Sequence, residues 1–557
     1  MLYQTKQIIF IYHDGCGASS ALIIKKMITL EGVWRVSLMQ KQSGNLFLSS
    51  SALDRLNLFT TIRQLRLAQM SVDERLAAEK VGVAFVTEVN LRQVAHATGR
   101  NYGSIYNIYN DLLGTLARIV GDAHADVATL FNLTPARLRY EMIIQTSPYQ
   151  FMQAALAEDS QHFDDFVAPM HLSRMTVMRH LRPLRELAQT FGVKMLPEHL
   201  SFVGDEAHVR LFLTTMFWQA TEGVAWPFEH ISQTTAQQVV QRVYQSLDYP
   251  VPSAIAEQIA MYYLAVSLQR IKLGHILTYD HSQVVLDYPL PSLDLALGHV
   301  RDFKLPPMTR LQVMGEANLV FFLMHLQPNF MVSDDAQMQV YIARFKRYAP
   351  AVYALTRGFV AAFPAWERPL TPAEKQLLQA NLLAVTASVL TLGVDFNQLV
   401  AYAFHDELNT RPKDPQFERS IRQTLTQVIL SEHLESLVDV IAPLSENFEQ
   451  NLRQLKASFR PQQSVKVLLN LYQSSLADID LVAMLKQQAI VTLLPATSDP
   501  KQADLVIQAA ALATKFQTQV FNWPEHPTAE RFGELYAVLM RLWQVKQAAT
   551  ISKQQHA

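Results

Sequence analysis

Apolar residues recur at spacings of three and four from Leu53 to about Phe459, and this long helical pattern constrains the fold more than any other feature. Proline-rich breaks, where helices must stop, interrupt the pattern at 247–253, 287–292, 304–308 and 410–415. The chain has 557 residues, and a single hydrophobic core stops growing at roughly 250–300 residues. The sequence therefore predicts a multidomain, mainly α protein.

The period of the pattern changes after residues 460–463. Strand-like apolar runs lie at 465–472, 489–495, 504–509 and 518–523, with helical patterns at 479–485 and 529–543. Because alternating strands and helices usually form a parallel sheet, we expect a small α/β domain with a largely parallel sheet here.

Residues 1–52 are predicted to form a separate βαβ-like extension that ends in the linker SGNLFLSSS. Strand-like Gln7–Tyr12 is followed by the turn HDGCGASS, a helix and a second strand. The turn resembles a phosphoryl-binding loop with Cys16 as a nucleophile, but an ordinary turn with an idle cysteine is the simpler alternative. The role of this extension and of Cys16 stays open.

The composition, 49% hydrophobic and 17% charged, is typical of a globular protein. Since the formal net charge is −1, binding to nucleic acid would need a local basic surface. One cysteine excludes an internal disulfide and a multi-cysteine zinc site, and it suits a reducing compartment. No signal peptide is recognisable, and no apolar stretch reaches the roughly 18–20 residues that cross a bilayer. We expect a soluble, cytoplasmic protein.

The segment HLSRMTVMRHLRPLRELAQTFGVKMLPEHLSFVGDE, residues 171–206, carries the sharpest functional pattern. Ser173 is a good helix N-cap. A helix that starts there places four apolar residues on one inward stripe, namely Val177, Leu181, Leu184 and Ala188. The opposite stripe is predicted to carry hydroxyl and guanidinium groups for phosphates and base edges, namely Ser173, Thr176, Arg179 and Arg182, flanked by Arg174, His180 and Arg185.

The neighbouring residues predict a helix-turn-helix with a wing. HFDDFVAPM at 162–170 can form the supporting helix, and VKML and HLSFVG can form two short strands that fold back. Pro183 indicates a kink or the start of a further helix. The alternative is an ordinary basic amphipathic helix on the surface of a bundle.

A second unit of the same kind is predicted upstream, where VNLRQVAHATG (89–99) precedes RNYGSIYNIYNDLLG (100–114). Gly99 makes the turn, and the predicted inward residues are Leu91, Val94, Ala95, Ile105, Ile108 and Leu112. The candidate DNA contacts are Arg100, Tyr102, Ser104 and Asn107. A plain helical hairpin is an equally good alternative for this segment.

Three stretches together resemble the Mga/AtxA-like family of transcription regulators. They are SPYQFMQAAL (147–156), LSRMTVMRHLRPLRELAQTFGVKM (172–195) and FVGDEAHVRLFLTTMFWQATEG (202–223). The matching elements are the Ser-x-x-Thr-x-x-Arg helix, the wing that ends in Gly-Asp-Glu, and the Arg and Phe-Trp that follow. The order of elements fits the family over about residues 70–545.

The resemblance implies a chain of several domains. After the extension at 1–52, these are a first helix-turn-helix unit at 53–135, a second, Mga-type winged helix-turn-helix at 136–221, a first helical domain like phosphotransferase regulation domains (PRD) at 222–305, a second PRD-like domain with connecting helices at 306–460, and an α/β domain like sugar-phosphotransferase enzyme IIB at 461–557. The IIB-like domain has no cysteine or histidine after its first strand, where Leu471 to Ser474 stand. We therefore expect it not to transfer phosphate. The resemblance to the family implies that this domain supports a homodimer.

In the family, histidines of the helical domains can be phosphorylated by the sugar phosphotransferase system. His275, with Arg270 and Lys272 nearby, is the candidate in the first block, and His405 and His433 are candidates in the second. The resemblance thus implies a regulator, expected to be an activator, that binds double-stranded DNA and meets phosphocarrier proteins.

The alternative function is a signalling protein of the phosphotransferase system that binds protein partners and makes no direct contact with DNA. An enzyme is disfavoured, because the sequence has no metal-ligand spacing, no glycine-rich phosphate loop in a strand-helix context and no nucleophile motif. The sequence predicts no cofactor, no metal site and no membrane contact.

Overall fold

The computed structural model divides the chain into two compact units, Met1–Ala365 with Leu370–Asn451, and Trp366–Pro369 with Leu452–Ala557. The structure describes residues 46–71, 74–75, 77–78, 86–158, 162–246, 253–280, 285–286, 305–326, 330, 336–364, 370–393, 395, 415–459, 464–471, 479–495, 497–508, 518–524 and 528–555. The predictions for residues 1–45, Cys16 and His405 lie outside these residues.

The first described helices are α1 (Ser50–Ala68), α2 (Leu91–Thr98), α3 (Tyr102–Val120) and α4 (Val127–Leu130). Each begins after a residue whose side chain accepts a backbone N–H and so satisfies a free donor of the first turn, namely Ser49, Asn90, Asn101 and Asp126. α1 packs against both α2 and α3. The three helices thus form one packed group at the start of the described chain.

The next group surrounds a small hairpin. Its helices are α5 (Pro135–Ile143), α6 (Ser147–Ala157), α7 (Phe163–Val167), α8 (Arg174–Thr190) and α9 (Glu206–Thr221). Between α8 and α9, β1 (Lys194–Leu196) pairs with β2 (Ser201–Val203) in antiparallel register, with Lys194 opposite Val203. The hairpin packs onto α6 and α9 through Phe202, whose ring makes edge contacts with Phe151 and Phe212.

The other described helices that begin in the first unit are α10 (Gln233–Ser246), α11 (Ala254–Lys272), α12 (Arg310–Leu326), α13 (Ala336–Tyr348), α14 (Pro350–Ala362), α15 (Pro372–Leu392), α16 (Pro415–Ser431) and α17 (Ile441–Phe459), and the unit boundary at Asn451 falls within α17. One continuous hydrophobic core extends from Leu46 to Leu392. α9 and α11 pack directly against each other, and most residues of both are buried. The helices around the hairpin therefore share their interior with those that follow.

A buried network of charged groups crosses the same boundary. Arg210 on α9 is fully buried and pairs with Glu316 on α12, with Nη1 2.5 Å from Oε2. Burial alone would lower the pKa of Arg210, but the hydrogen bonds and charge of Glu316 outweigh it and raise that pKa. Arg270 on α11 pairs with Glu206 at the start of α9 and with Glu158 after α6. Each of the two buried guanidinium groups thus has carboxylate partners that compensate its charge.

The described elements of the second unit are β3 (Val465–Asn470), α18 (Ile479–Gln487), β4 (Val491–Leu493), β5 (Leu505–Gln508), β6 (Gln519–Asn522) and α19 (Ala529–Gln555). The strands form a four-stranded sheet in the order β4-β3-β5-β6, in which all three pairs are parallel. α18 and α19 cover one face of the sheet through Leu481 and Leu535. Lys546 on α19 also pairs with Asp504 at 2.6 Å.

The predicted mainly α body and the small parallel α/β part are both confirmed, whereas the predicted linker at 43–51 is not. α1 already begins at Ser50, and Leu46, Phe47 and Leu48 are buried in the core. Their apolar side chains therefore belong to the folded unit. The finer division into six domains stays a prediction. Among the described helices, none is long and apolar enough to cross a bilayer.

Candidate nucleic-acid interface

The segment from α7 to β2 forms the predicted helix, turn, helix and hairpin. α7 continues as a 3₁₀ turn, Ala168–Met170, and the chain reverses at His171, whose φ is 52°. Ser173 then caps α8, since its Oγ accepts a hydrogen bond from the Thr176 N–H at 3.2 Å. The supporting helix, the N-cap and the two wing strands were all predicted from the sequence, and the structure confirms them.

The inward face of α8 is also confirmed. Val177, Leu181, Leu184 and Ala188 are each at most 1% exposed. α8 is one continuous helix through Pro183, so the prediction of a separate helix starting there is wrong. Proline removes one backbone hydrogen bond at that point, and the burial of four side chains on the opposite face offsets this loss.

The outward face of α8 differs from the predicted one. A step of three residues turns a helix by about 300°, so residues three apart fall back by about 60° per step. Over three steps, from Ser173 to Arg182, the side chains therefore move from one side of α8 to the other. Thr176 is accordingly half-buried. The residues that share the solvent face are Met175, Arg179, Arg182 and Glu186, here called the outer stripe.

Arginine side chains dominate the surface around the outer stripe. A shallow groove of about 440 Å³ is lined by Met175, Thr176, Met178, Arg179, Arg182 and Arg185. Arg179 has no ion-pair partner in the part of the chain that the structure describes. Arg182 is 69% exposed, and its ion-pair partner among the described residues is Glu186, one turn along the same helix, at 2.7 Å. Exposed pairs of this kind contribute little free energy, so Arg182 can exchange Glu186 for another anion.

The residues at the start of α8 are already engaged within the protein. Arg174 pairs with Glu198 and Asp164, and these partners raise the pKa of its guanidinium group. The hydroxyl groups of Ser173 and Thr176 lie 2.9 Å apart and hydrogen-bond to each other. Of the predicted contacts on this helix, Arg179, His180 and Arg182 are exposed. Ser173 and Arg174 are exposed as well, but together with half-buried Thr176 they help to hold the turn.

Sequence reasoning did not single out Lys194, a cation on the hairpin after α8. Lys194 on β1 is exposed, while Met195 and Phe202 point into the core. Alternation along a strand of three residues places Lys194 outward once Met195 is inward. Strand alternation could therefore have predicted from the sequence that Lys194 is exposed. A period of about 3.6 residues per turn could likewise have placed Met175 on the solvent face of α8.

The upstream pair of helices, α2 and α3, is joined by Gly99, whose φ of 65° closes the turn as predicted. Tyr102 and Asn107 are exposed, but Ser104 is half-buried. Arg100 pairs with Asp54 on α1 at 2.8 Å, which offsets its charge. Tyr106, which was not predicted, is 48% exposed and stacks on Tyr102. This second surface is aromatic and polar, and less basic than α8.

The two described candidate histidines differ in their surroundings. The Nε2 of His275, which follows α11, lies 2.8 Å from Glu158, the residue that also pairs with Arg270. His433 has a side chain that is 87% exposed, and its partner Glu435 lies at 3.8 Å. No cluster of three or more metal-ligating side chains occurs among the described residues.

A buried helix face, a capped turn, an outward basic stripe and an antiparallel hairpin together define a winged helix-turn-helix. Residues 137–217 match the family model of the Mga helix-turn-helix domain. The resemblance to Mga regulators is thereby confirmed for this part of the chain, which runs from α5 into α9.

A protein of Streptococcus pneumoniae serotype 4, described as "Putative trans-acting regulator", is 28% identical to the chain over 90 residues. The matching segment is 16% of this chain and 18% of that relative. The likeness therefore concerns a small part of both proteins.

Proposed function

We propose that the protein is a transcription regulator that binds double-stranded DNA by inserting α8 into the major groove. The observation that carries the proposal is the outer stripe, where Arg179 and Arg182 face solvent on a helix whose other side is anchored in the core. A recognition helix needs this combination, because only a rigidly held helix can position its side chains against base edges. The Mga helix-turn-helix match supports the same function.

The local positive charge around α8 favours DNA over a protein as its binding partner. Arg179, Arg182 and Arg185 line one groove in a chain with a formal net charge of −1. Guanidinium groups form paired hydrogen bonds with phosphates and with guanine, and the release of counterions from DNA adds to affinity. Guanidinium groups gathered around one helix therefore match the polyanionic backbone of DNA.

The double variant Arg179→Ala plus Arg182→Ala tests the proposal. We expect it to bind a labelled pool of random 30-base-pair duplexes on the order of 100-fold more weakly, if each charged contact contributes about 1.4 kcal/mol. The slope of log affinity against log salt should also fall by about one for each lost phosphate contact. Fluorescence anisotropy between 50 and 200 mM salt measures both quantities.

A matched control is available on α16. Arg419 and Arg422 are also three residues apart and exposed, and Arg422 pairs with Glu418 as Arg182 pairs with Glu186. Arg419→Ala plus Arg422→Ala should leave affinity and salt slope unchanged. Equal weakening by both double variants, or unchanged binding by the α8 variant, would show that α8 is not the DNA-contacting helix.

We further propose that the regulator is a cytoplasmic activator that acts as a homodimer through its C-terminal unit. A two-fold dimer would present two copies of α8 to DNA, and linked binding raises affinity. The parallel sheet order in the second unit supports a likeness to enzyme IIB in fold. The activating role rests on the family resemblance alone.

Phosphorylation of His275 by a phosphocarrier protein is the proposed control. Its Nε2 lies beside Glu158, so a phosphoryl group there would place two negative charges against a carboxylate. Glu158 also holds Arg270, which in turn holds Glu206 directly after the wing. Repulsion between a phosphorylated His275 and Glu158 would thus disturb the ion pairs that hold Glu206 at the start of α9.

The variant His275→Asp tests this control without the donor protein. We expect it to lower DNA affinity several-fold, because its negative charge would repel Glu158, while His275→Gln should bind as the wild type does. Gln423→Asp, which adds the same charge at an exposed position on α16, serves as the control. If His275→Asp and Gln423→Asp bind the duplex pool equally well, the proposed route from His275 to the wing is wrong.

A further inference from the structure

Met175 is the most exposed large apolar side chain among the described residues, at 78%. It lies in the first turn of α8, on the outer stripe with Arg179 and Arg182. Leu172, just before the helix, is 41% exposed. Single apolar residues are common on protein surfaces, but this one stands at the N-terminal end of the surface proposed to face DNA.

The chemistry of the major groove offers one clear apolar partner for such a side chain. Base edges there are hydrogen-bond donors and acceptors, except for the 5-methyl group of thymine. Residues at the N-terminal end of a recognition helix are the ones that meet base edges. Methionine is flexible and polarizable, so it can adapt to a methyl group without a fixed hydrogen-bond geometry.

We propose that Met175 contacts thymine methyl groups and so sets a preference for thymine under the first turn of α8. This inference rests on the proposed function and deepens it, since it names the chemical feature of the DNA that is recognised. Arg179 and Arg182, further along the outer stripe, hold the helix in the groove through phosphates or guanine. Met175 then discriminates between bases.

Replacement of thymine by deoxyuridine tests the proposal, because it removes the methyl group and leaves every hydrogen bond of the base in place. The probe is a set of duplexes enriched from a random 30-base-pair pool by the full-length wild-type protein, each synthesised with either thymine or deoxyuridine. Burial of one methyl group contributes about 0.8 kcal/mol, so we expect about four-fold weaker binding to the deoxyuridine duplex per contacted methyl.

Variants test whether the preference for thymine comes from Met175 or from another exposed side chain. Met175→Ala should bind thymine and deoxyuridine duplexes equally, and Met175→Leu should keep the preference for thymine. Leu430→Ala on α16, which removes a side chain that is 59% exposed, should keep the wild-type ratio. Arg179→Ala should weaken binding to both duplexes by the same factor.

Different results would contradict the contact between Met175 and thymine methyl groups and the binding of DNA itself. A wild-type protein that binds both duplexes equally, or a Met175→Ala variant that keeps the full preference for thymine, would overturn the contact while leaving DNA binding in place. A wild-type protein that enriches no duplex at all would overturn the proposed function, and this inference with it.

Discussion

His325 on α12 is a titratable side chain held inside the first unit. It is 2% exposed, its ring stacks on Tyr341 with centroids 4.9 Å apart, and it lies close to Phe345. Burial, with a smaller contribution from the charge of Arg344, lowers the pKa of His325 from 6.5 to about 3. The ring therefore stays neutral in the folded protein at any pH near neutrality.

The pH dependence of stability follows from this difference. Below pH 6.5 the unfolded chain binds a proton that the folded chain does not, so the free energy of unfolding falls as the pH drops from 6.5 toward 3. Above pH 6.5 the burial of His325 causes no such loss of stability. Below pH 6.5 the free energy of unfolding falls by at most about 1.4 kcal/mol per pH unit because of this residue.

His325→Phe should flatten this profile, because phenylalanine keeps a ring against Tyr341 and cannot bind a proton. The measurement is the midpoint of urea unfolding between pH 5 and pH 7.5, by circular dichroism, for the wild type and the variant. His433→Phe, whose histidine side chain is 87% exposed, should keep the wild-type profile. An equally steep profile for His325→Phe would mean that another group causes the loss of stability.

Local signals made α8 and its turn predictable from the sequence. The serine cap, the apolar spacing and the short wing strands depend on residues a few positions apart. The pairing of Arg174 with Glu198 could not be predicted, because it depends on how the hairpin folds back onto the turn. The outer stripe was predictable in principle, and the error lay in using a period of three where the helix has 3.6 residues per turn.

The turn between α2 and α3 depends on a backbone conformation that favours glycine. Gly99 has a φ of 65°, and an added Cβ would meet no atom within 4 Å, so backbone strain alone opposes alanine there. Gly99→Ala should lower the free energy of unfolding by about 1–2 kcal/mol.

Gly114, inside α3, offers a matched control of opposite sign. It has no left-handed φ, and its Cβ position is also free of neighbours. Gly114→Ala should raise the free energy of unfolding by about 0.5–1 kcal/mol, because alanine restricts the unfolded chain. Urea unfolding of both variants should therefore show midpoints that move in opposite directions, and a common direction would contradict the left-handed turn.

Across the first unit, the sequence predicted the kind of secondary structure better than the connections between its parts. Helical periodicity and proline breaks are properties of short segments, and they indicated the α body correctly. The pairing of Arg210 with Glu316 joins residues that are 106 positions apart and have no sequence motif. Such pairs depend on tertiary packing, which a single sequence does not reveal.

The pairing of Arg210 with Glu316 also ties the matched segment to a helix that lies beyond it. A guanidinium group within the matched Mga segment is neutralised by a carboxylate that lies well outside it. Cut away from α12, this segment would leave Arg210 with Glu206 as its remaining carboxylate partner among those described, at a position that is fully buried in the intact protein. Recombination in evolution, or the design of a hybrid protein, would therefore strip a buried charge of its bidentate partner if it moved this segment without α12 and without a change at position 210.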